Sequence, residues 1–167
     1  MKELNIFEAT GFTSPNPLTL ICTEKADGTT NLAPICFVSY LSFNPPMIGF
    51  ATGKQSHTGE RTRETGKVII SVPGKSLDQA VMSCGSSTGS STAKAETYGI
   101  ELVNVPDSTI KIPADTKLAF VADLKQVVDV GDHFLHICDI QKIYGDDSKE
   151  ALFAWNGFGK AAPAQEK

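Results

Sequence analysis

Apolar positions along the chain fall into short β-rich runs separated by turn residues, with few helical stretches between them. Leu18–Thr23 and Thr30–Tyr40 read as two strands joined at an Asp27-Gly28 turn. Met47–Ala51 follows the double proline Pro45-Pro46, and Lys67–Val72 stops at Pro73. In Leu118–Val128 the residues Leu118, Phe120, Ala122 and Leu124 recur at period two and share a face. The turn Asp129-Val130-Gly131-Asp132 leads into a further strand, Phe134–Tyr144, and Leu152–Trp155 reads as a last one.

Helical signals are fewer. Ser76-Leu77-Asp78-Gln79 has the capping-box pattern and opens a helix over Leu77–Cys84 that Gly85 closes. A second helix begins near Thr58, carries Glu60 in its first turn and ends at Gly66, which suits a left-handed cap. Ser83–Thr92 is rich in Ser, Thr and Gly, reads as a loop and leads to Lys94. Many strands and few helices predict a mainly β barrel or sandwich. The 167 residues favour one domain, placed at 1–160, with 161–167 as a flexible tail.

Composition narrows the classes. Hydrophobic residues at 41% and charged residues at 20% describe a packed globular chain. With 15 Lys+Arg against 19 Asp+Glu the net charge is -4, which disfavours nucleic acid as a partner. Leu32–Thr52 has the length of a membrane helix, but Pro34, Pro45 and Pro46 would break it, so buried strands are expected and no membrane partner. Met1–Ile6 has no apolar leader, so a cytoplasmic location with free thiols is expected. Cys22, Cys36, Cys84 and Cys138 lie too far apart in sequence to suggest a metal site.

Three stretches could carry chemistry. Thr52-Gly53-Lys54-Gln55-Ser56-His57-Thr58 runs from a strand into a helix start, where unpaired N–H groups and hydroxyls suit an anion; the alternative is that Thr58 only caps the helix. The Gly85–Gly89 loop lacks Walker spacing but can bring Lys94 over a phosphate; the alternative is a solvated lysine. His133 and His136 fall on opposite faces of one strand and cannot share a metal. His133 lies at a strand end within reach of a ligand, with a capped turn histidine as the alternative. No nucleophile elbow and no Rossmann fingerprint is present. The residues alone lead to an anion-binding β domain.

Gly131-Asp132-His133 with Asp139-Ile140 downstream, Asn31-Leu32-Ala33-Pro34 leading to Ser42-Phe43-Asn44-Pro45-Pro46, and Ser56-His57-Thr58 together resemble the flavin reductase-like family over roughly residues 10–160. The resemblance implies an FMN-binding split β-barrel of Greek-key type that dimerises, and the flavoredoxin-like branch is the most similar. It implies FMN contacts from Asn31, Cys36, Phe37, Ser56, Thr58, Lys94, His133 and Phe158. Thr58 and Lys94 would hold the phosphate, and His133 would sit by the ring as the one catalytic candidate. The implied activity is electron transfer from NADH or NADPH through FMN to free flavin or another small acceptor; a flavoredoxin-type carrier with a protein redox partner is the alternative. Phe37 stands where relatives often carry Trp. Cys138 stands where reductases commonly have Gly, so a narrowed nicotinamide approach is expected.

Overall fold

A computed structural model describes residues 1–164. Seven antiparallel strands form one sheet: β1 Thr19–Glu24, β2 Thr30–Ile35, β3 Val38–Phe43, β4 Pro46–Gly53, β5 Lys67–Pro73, β8 Thr116–Val130 and β9 His133–Gly145. Their order is β2-β1-β5-β8-β9-β4-β3. The two outermost strands, β2 and β3, are consecutive in the chain and separated by only Cys36 and Phe37. A sheet whose edges are tied by two residues must curl until those edges meet, so the topology itself makes a barrel. It is a split one, because β2 and β3 do not pair with each other. The expected strand Thr30–Tyr40 is therefore two strands: the backbone turns at Cys36, where Val38 N donates to Cys36 O at 3.0 Å, and Ala51 N donates to Phe37 O at 2.8 Å.

Two cores lie on opposite faces of this sheet. Ile21, Ile48, Phe50, Val68, Ile70, Phe120, Ala122 and Cys138 fill the barrel. Leu20, Cys22, Leu32, Ile69 and Ala119 point outward and are covered by helix α3 (Asp78–Gly85), by Ile100, Val105 and Ile110, and by the hairpin of β10 (Leu152–Trp155) and β11 (Lys160–Pro163). Burial on both faces explains why β1 and β5 read as continuous apolar runs while β8, half of it solvated, alternates. The Asp27-Gly28 and Gly131 turns form as expected, with φ of 80° at Gly28 and 75° at Gly131, conformations glycine adopts without a Cβ penalty.

The helices depart from expectation in detail. Helix α2 spans His57–Thr65 and ends at Gly66 with φ 67°. The capping box at Ser76 does not form. Asp115 takes both the Ser76 N–H (3.0 Å) and the Ser76 hydroxyl (2.5 Å), and a short 3-10 turn over Lys75–Leu77 precedes α3. Helix α1, Ile6–Phe12, was not expected; Asn5 and Glu8 cap it reciprocally, yet none of its residues is buried. A one-turn helix, α4 (Lys94–Thr97), follows the Ser/Thr-rich loop, and a small ladder pairs β6 (Leu102–Val103) with β7 (Ile112–Pro113). The tail expected from residue 161 is corrected at its start: Ala161–Pro163 pair with β10, Ala161 is buried, and Trp155 Nε1 donates to Ala162 O at 3.2 Å. The remainder of that segment, 165–167, lies outside the described residues. Among the described residues no helix is long and apolar enough to cross a membrane.

Phe50 is fully buried at the barrel centre, so Phe50→Ala should cost about 3–5 kcal/mol, the range for emptying such a site. A urea titration would read it as a lowered midpoint with an unchanged slope.

Candidate functional site

Strand β4 runs almost directly into α2. Ser56 is the cap, its Oγ accepting from Gly59 N at 3.3 Å. Thr58, expected as the cap, instead sits buried in the first turn, where its Oγ1 accepts from Asn31 Nδ2 at 2.8 Å. The first-turn N–H groups of His57 and Thr58 have no helical carbonyl to bond. They border a cleft of about 300 Å³ that Ser56, Thr58, Pro34, the Gly85–Gly89 loop and Lys94 line together. Positions far apart in sequence thus meet in one concavity at the positive end of a helix dipole.

Lys94 is 4% exposed. Its Nζ donates to Cys84 O at 2.7 Å, and among the described residues it has no carboxylate partner. Burial holds its pKa below the ordinary 10.5, with a smaller opposing pull from Cys84. A buried ammonium bonded only to a neutral carbonyl is costly, and an anion in the cleft would offset that cost. Three more buried polar atoms nearby lack partners: Asn31 Oδ1, His57 Nε2 and Ser87 Oγ. Reasoning from sequence placed His57 and Gly89 in candidate stretches without assigning either a contact, and did not single out Ser87. The Ser/Thr/Gly loop signalled an inability to pack and, because it leads to Lys94, a way to bring that lysine over a phosphate.

Phe37, His133 and Phe158 form a separate aromatic cluster. Phe37 lies 5.3 Å from His133 and 5.9 Å from Phe158, ring centre to ring centre, and is 50% exposed. Asp132 accepts from His133 Nδ1 at 2.7 Å, and that bond and the imidazole beside it hold the Asp132 carboxyl below its usual range. Phe158 adopts φ 75°, a left-handed conformation unusual for a bulky residue. Cys36 stands at the bend beside Phe37, partly buried against the outer core, and burial pushes its thiol up to about 11. The expected residues therefore fall into two groups: Ser56, Thr58 and Lys94 at the cleft, with Asn31 behind it, and Phe37, His133 and Phe158 at the cluster, with Cys36 adjacent in the chain. From Asn31 to Phe37 is six residues, at most about 20 Å of extended chain.

The other residues singled out earlier lie elsewhere. His136 is buried at the end of the barrel, stacked on Phe50 at 4.9 Å, and its Nε2 accepts from Arg63 Nη1 at 3.3 Å. Burial and the Arg63 charge lower its pKa. Cys138 is inside the barrel core, fully buried, with its thiol pushed up to about 12. The expectation that it narrows a nicotinamide approach is corrected: its side chain points away from the outer face that carries His133. All four cysteines are free thiols, and among the described residues no group of three or more His, Cys, Asp or Glu converges as metal ligands.

The flavin reductase like domain model matches residues 12–161, and the chain belongs to that family. An uncharacterized protein of Halalkalibacterium halodurans is 23% identical over 128 residues, 72% of this chain and 60% of that protein, so the chain spans less than two thirds of that relative. Three solved structures share the fold. Flavoredoxin from Methanosarcina acetivorans superposes with a TM-score of 0.83 at 18% identity, covering 100% of this chain and 94% of its own. The NADH:FAD oxidoreductase of Streptomyces globisporus C-1027 gives 0.84 at 13% identity, with 99% of each chain covered. An FMN-binding protein from Thermus thermophilus, solved with bound 1-cyclohex-2-enone, gives 0.82 at 16%, covering 100% and 97%. The expectation of a mainly β split barrel in the flavin reductase-like family holds.

A Cβ at position 89 would collide with Asn31 Oδ1 and come within 3.1 Å of the His57 ring. Gly89→Ala should therefore lift the loop from the cleft and weaken binding of a phosphate-bearing ligand at least about tenfold, the scale of one lost charge-assisted hydrogen bond. Equilibrium dialysis would measure it.

Proposed function

We propose that the chain binds FMN, its phosphate in the Thr58–Lys94 cleft and its ring toward Phe37, His133 and Phe158, and works as an oxidoreductase that takes electrons from NADH or NADPH and delivers them to free flavin or another small acceptor. The observation that carries this reading is the Lys94 ammonium, buried beside the N-terminus of α2 with no counter-charge among the described residues. The donor set fits a phosphate: an ammonium, the hydroxyls of Ser56, Thr58, Ser87 and Thr88, and first-turn N–H groups without helical partners. The aromatic cluster fits the apolar end of a flavin, and the intervening β2 backbone offers a span of suitable length.

The cofactor supplies the hydride and electron chemistry, and the chain supplies binding, orientation and electrostatics. Ser56 holds the helix start in place, so the N–H groups of His57 and Thr58 stay aimed at the cleft. Lys94 is anchored by Cys84 O, which leaves its other hydrogens for the anion. Cys84 does not compete as a charge, since burial pushes its thiol up to about 11. Asp132 accepts from His133 Nδ1 and so fixes the orientation of the imidazole beside Phe37.

The flavoredoxin-type carrier is the second reading. The half-exposed Phe37 and the open β3 surface beside it, with Tyr40, Leu41 and Phe43 exposed, favour it, because a protein partner needs an accessible apolar rim. The same surface supports a homodimer in which a second copy covers the ring end.

The purified chain should be yellow or become so with FMN, and anaerobic NADH or NADPH should bleach it; a flavin band that neither nicotinamide reduces would remove the reductase reading. Rapid turnover with free flavin would reject the carrier. Fast reduction by a low-potential redox protein with slow nicotinamide oxidation would support it. Lys94→Ala should weaken FMN about ten- to a hundredfold, the equivalent of roughly 1.5–3 kcal/mol for a charged hydrogen bond. Fluorescence titration would check it, and an unchanged affinity would put the phosphate elsewhere.

A further inference from the structure

Asn31 lies behind the cleft wall. It is 2% exposed, and its amide Nδ2 donates to two hydroxyls, Thr58 Oγ1 at 2.8 Å and Thr23 Oγ1 at 3.3 Å. Its Oδ1 is buried directly beneath Gly89, with no donor among the described residues. Turning the amide over would leave two N–H hydrogens unpaired in that space, and stranded donors are rarer in folded proteins than under-used carbonyl oxygens. The orientation found is the less costly one.

That orientation decides what Thr58 can do. A hydroxyl has one hydrogen, and when the oxygen accepts from Asn31 that hydrogen must point to some other acceptor. Among the described residues no oxygen takes it, whereas the Thr62 hydroxyl, one turn on, is satisfied by Thr58 O at 2.9 Å. Thr58 lines the cleft. The surrounding groups have the same polarity, because the Lys94 ammonium and the backbone N–H groups of His57 and Thr58 can only donate.

We propose that Asn31 is a positioning residue that holds Thr58 as an obligate hydrogen-bond donor, so that the cleft selects a fully ionised, acceptor-only phosphate. The resemblance implies that Asn31 touches FMN; here it acts through Thr58. The inference rests on the FMN reading, and it adds a specificity device. A ligand with a hydroxyl where FMN has its phosphate, as riboflavin has, brings one uncharged oxygen in place of several anionic ones, and its own hydrogen finds no acceptor among these donors.

A double-mutant cycle on the full chain tests it, with dissociation constants for FMN and riboflavin measured for wild type, Asn31→Leu, Thr58→Val and the double variant. Each single substitution should cut the FMN-over-riboflavin preference about tenfold, and the double variant should lose no more than about twofold beyond Thr58→Val. Independent losses that multiply to about a hundredfold would overturn the proposal, as would an equal loss of FMN and riboflavin in Asn31→Leu, the mark of a merely structural role. If the leucine chain does not fold, Asn31→Ala completes the same cycle, and a Thr58→Val chain with unchanged preference also overturns the proposal. A wild-type chain that binds riboflavin as tightly as FMN would remove the phosphate reading itself, which is a different failure from additivity.

Discussion

The two-residue link at Cys36 and Phe37 ties the first and last strands of the sheet, and nearly everything else in the molecule follows from that tie. Because β2 and β3 cannot separate by more than the link allows, five intervening strands must bend around an interior, which Phe50, Ile70 and Phe120 fill. The same bend turns Phe37 out of the sheet and seats it against His133, which begins β9 next to the end of β4. Closure and the aromatic cluster are thus one constraint seen at two scales.

The Thr58–Lys94 cleft depends on a different balance. The outer core secures β2 and α3, and the loop after α3 folds back over Asn31 and His57 because Gly89 has no side chain to obstruct it. Lys94 is carried inward by that loop and, among the described residues, meets only the Cys84 carbonyl. An ammonium in that position weakens the fold unless an anion offsets its desolvation. Strain at Phe158 is likewise a local cost, carried at the aromatic cluster.

Much of this was legible. Strand positions followed from period-two patterns and turn residues, and Gly66 and Gly131 occupy the left-handed positions their contexts required. The meeting of Thr58 with Lys94 was foreseen from helix-terminus electrostatics together with family resemblance, since spacing alone does not bring a loop back to a helix. Other features depended on tertiary partners. Ser76 fits a capping motif, but Asp115 across the sheet outcompetes the helix for it. The break in Thr30–Tyr40 carries no local signal beyond Pro34, because a bend at Cys36 is imposed by closure. Cys138 reads as a site residue by motif position, yet the period-two rule that puts His133 outside puts Cys138 inside once its pairing with Ile48 is known.

Helix α1 gains its importance from what it leans on. Thr10 abuts Gly157, where a Cβ would come within 2.6 Å of its hydroxyl, and Ser14 Oγ accepts from Gly157 N at 3.3 Å. Gly157 directly precedes Phe158. A segment with no buried residue of its own is therefore seated on the turn that carries Phe158, so the amino-terminal arm and the aromatic cluster share one piece of backbone.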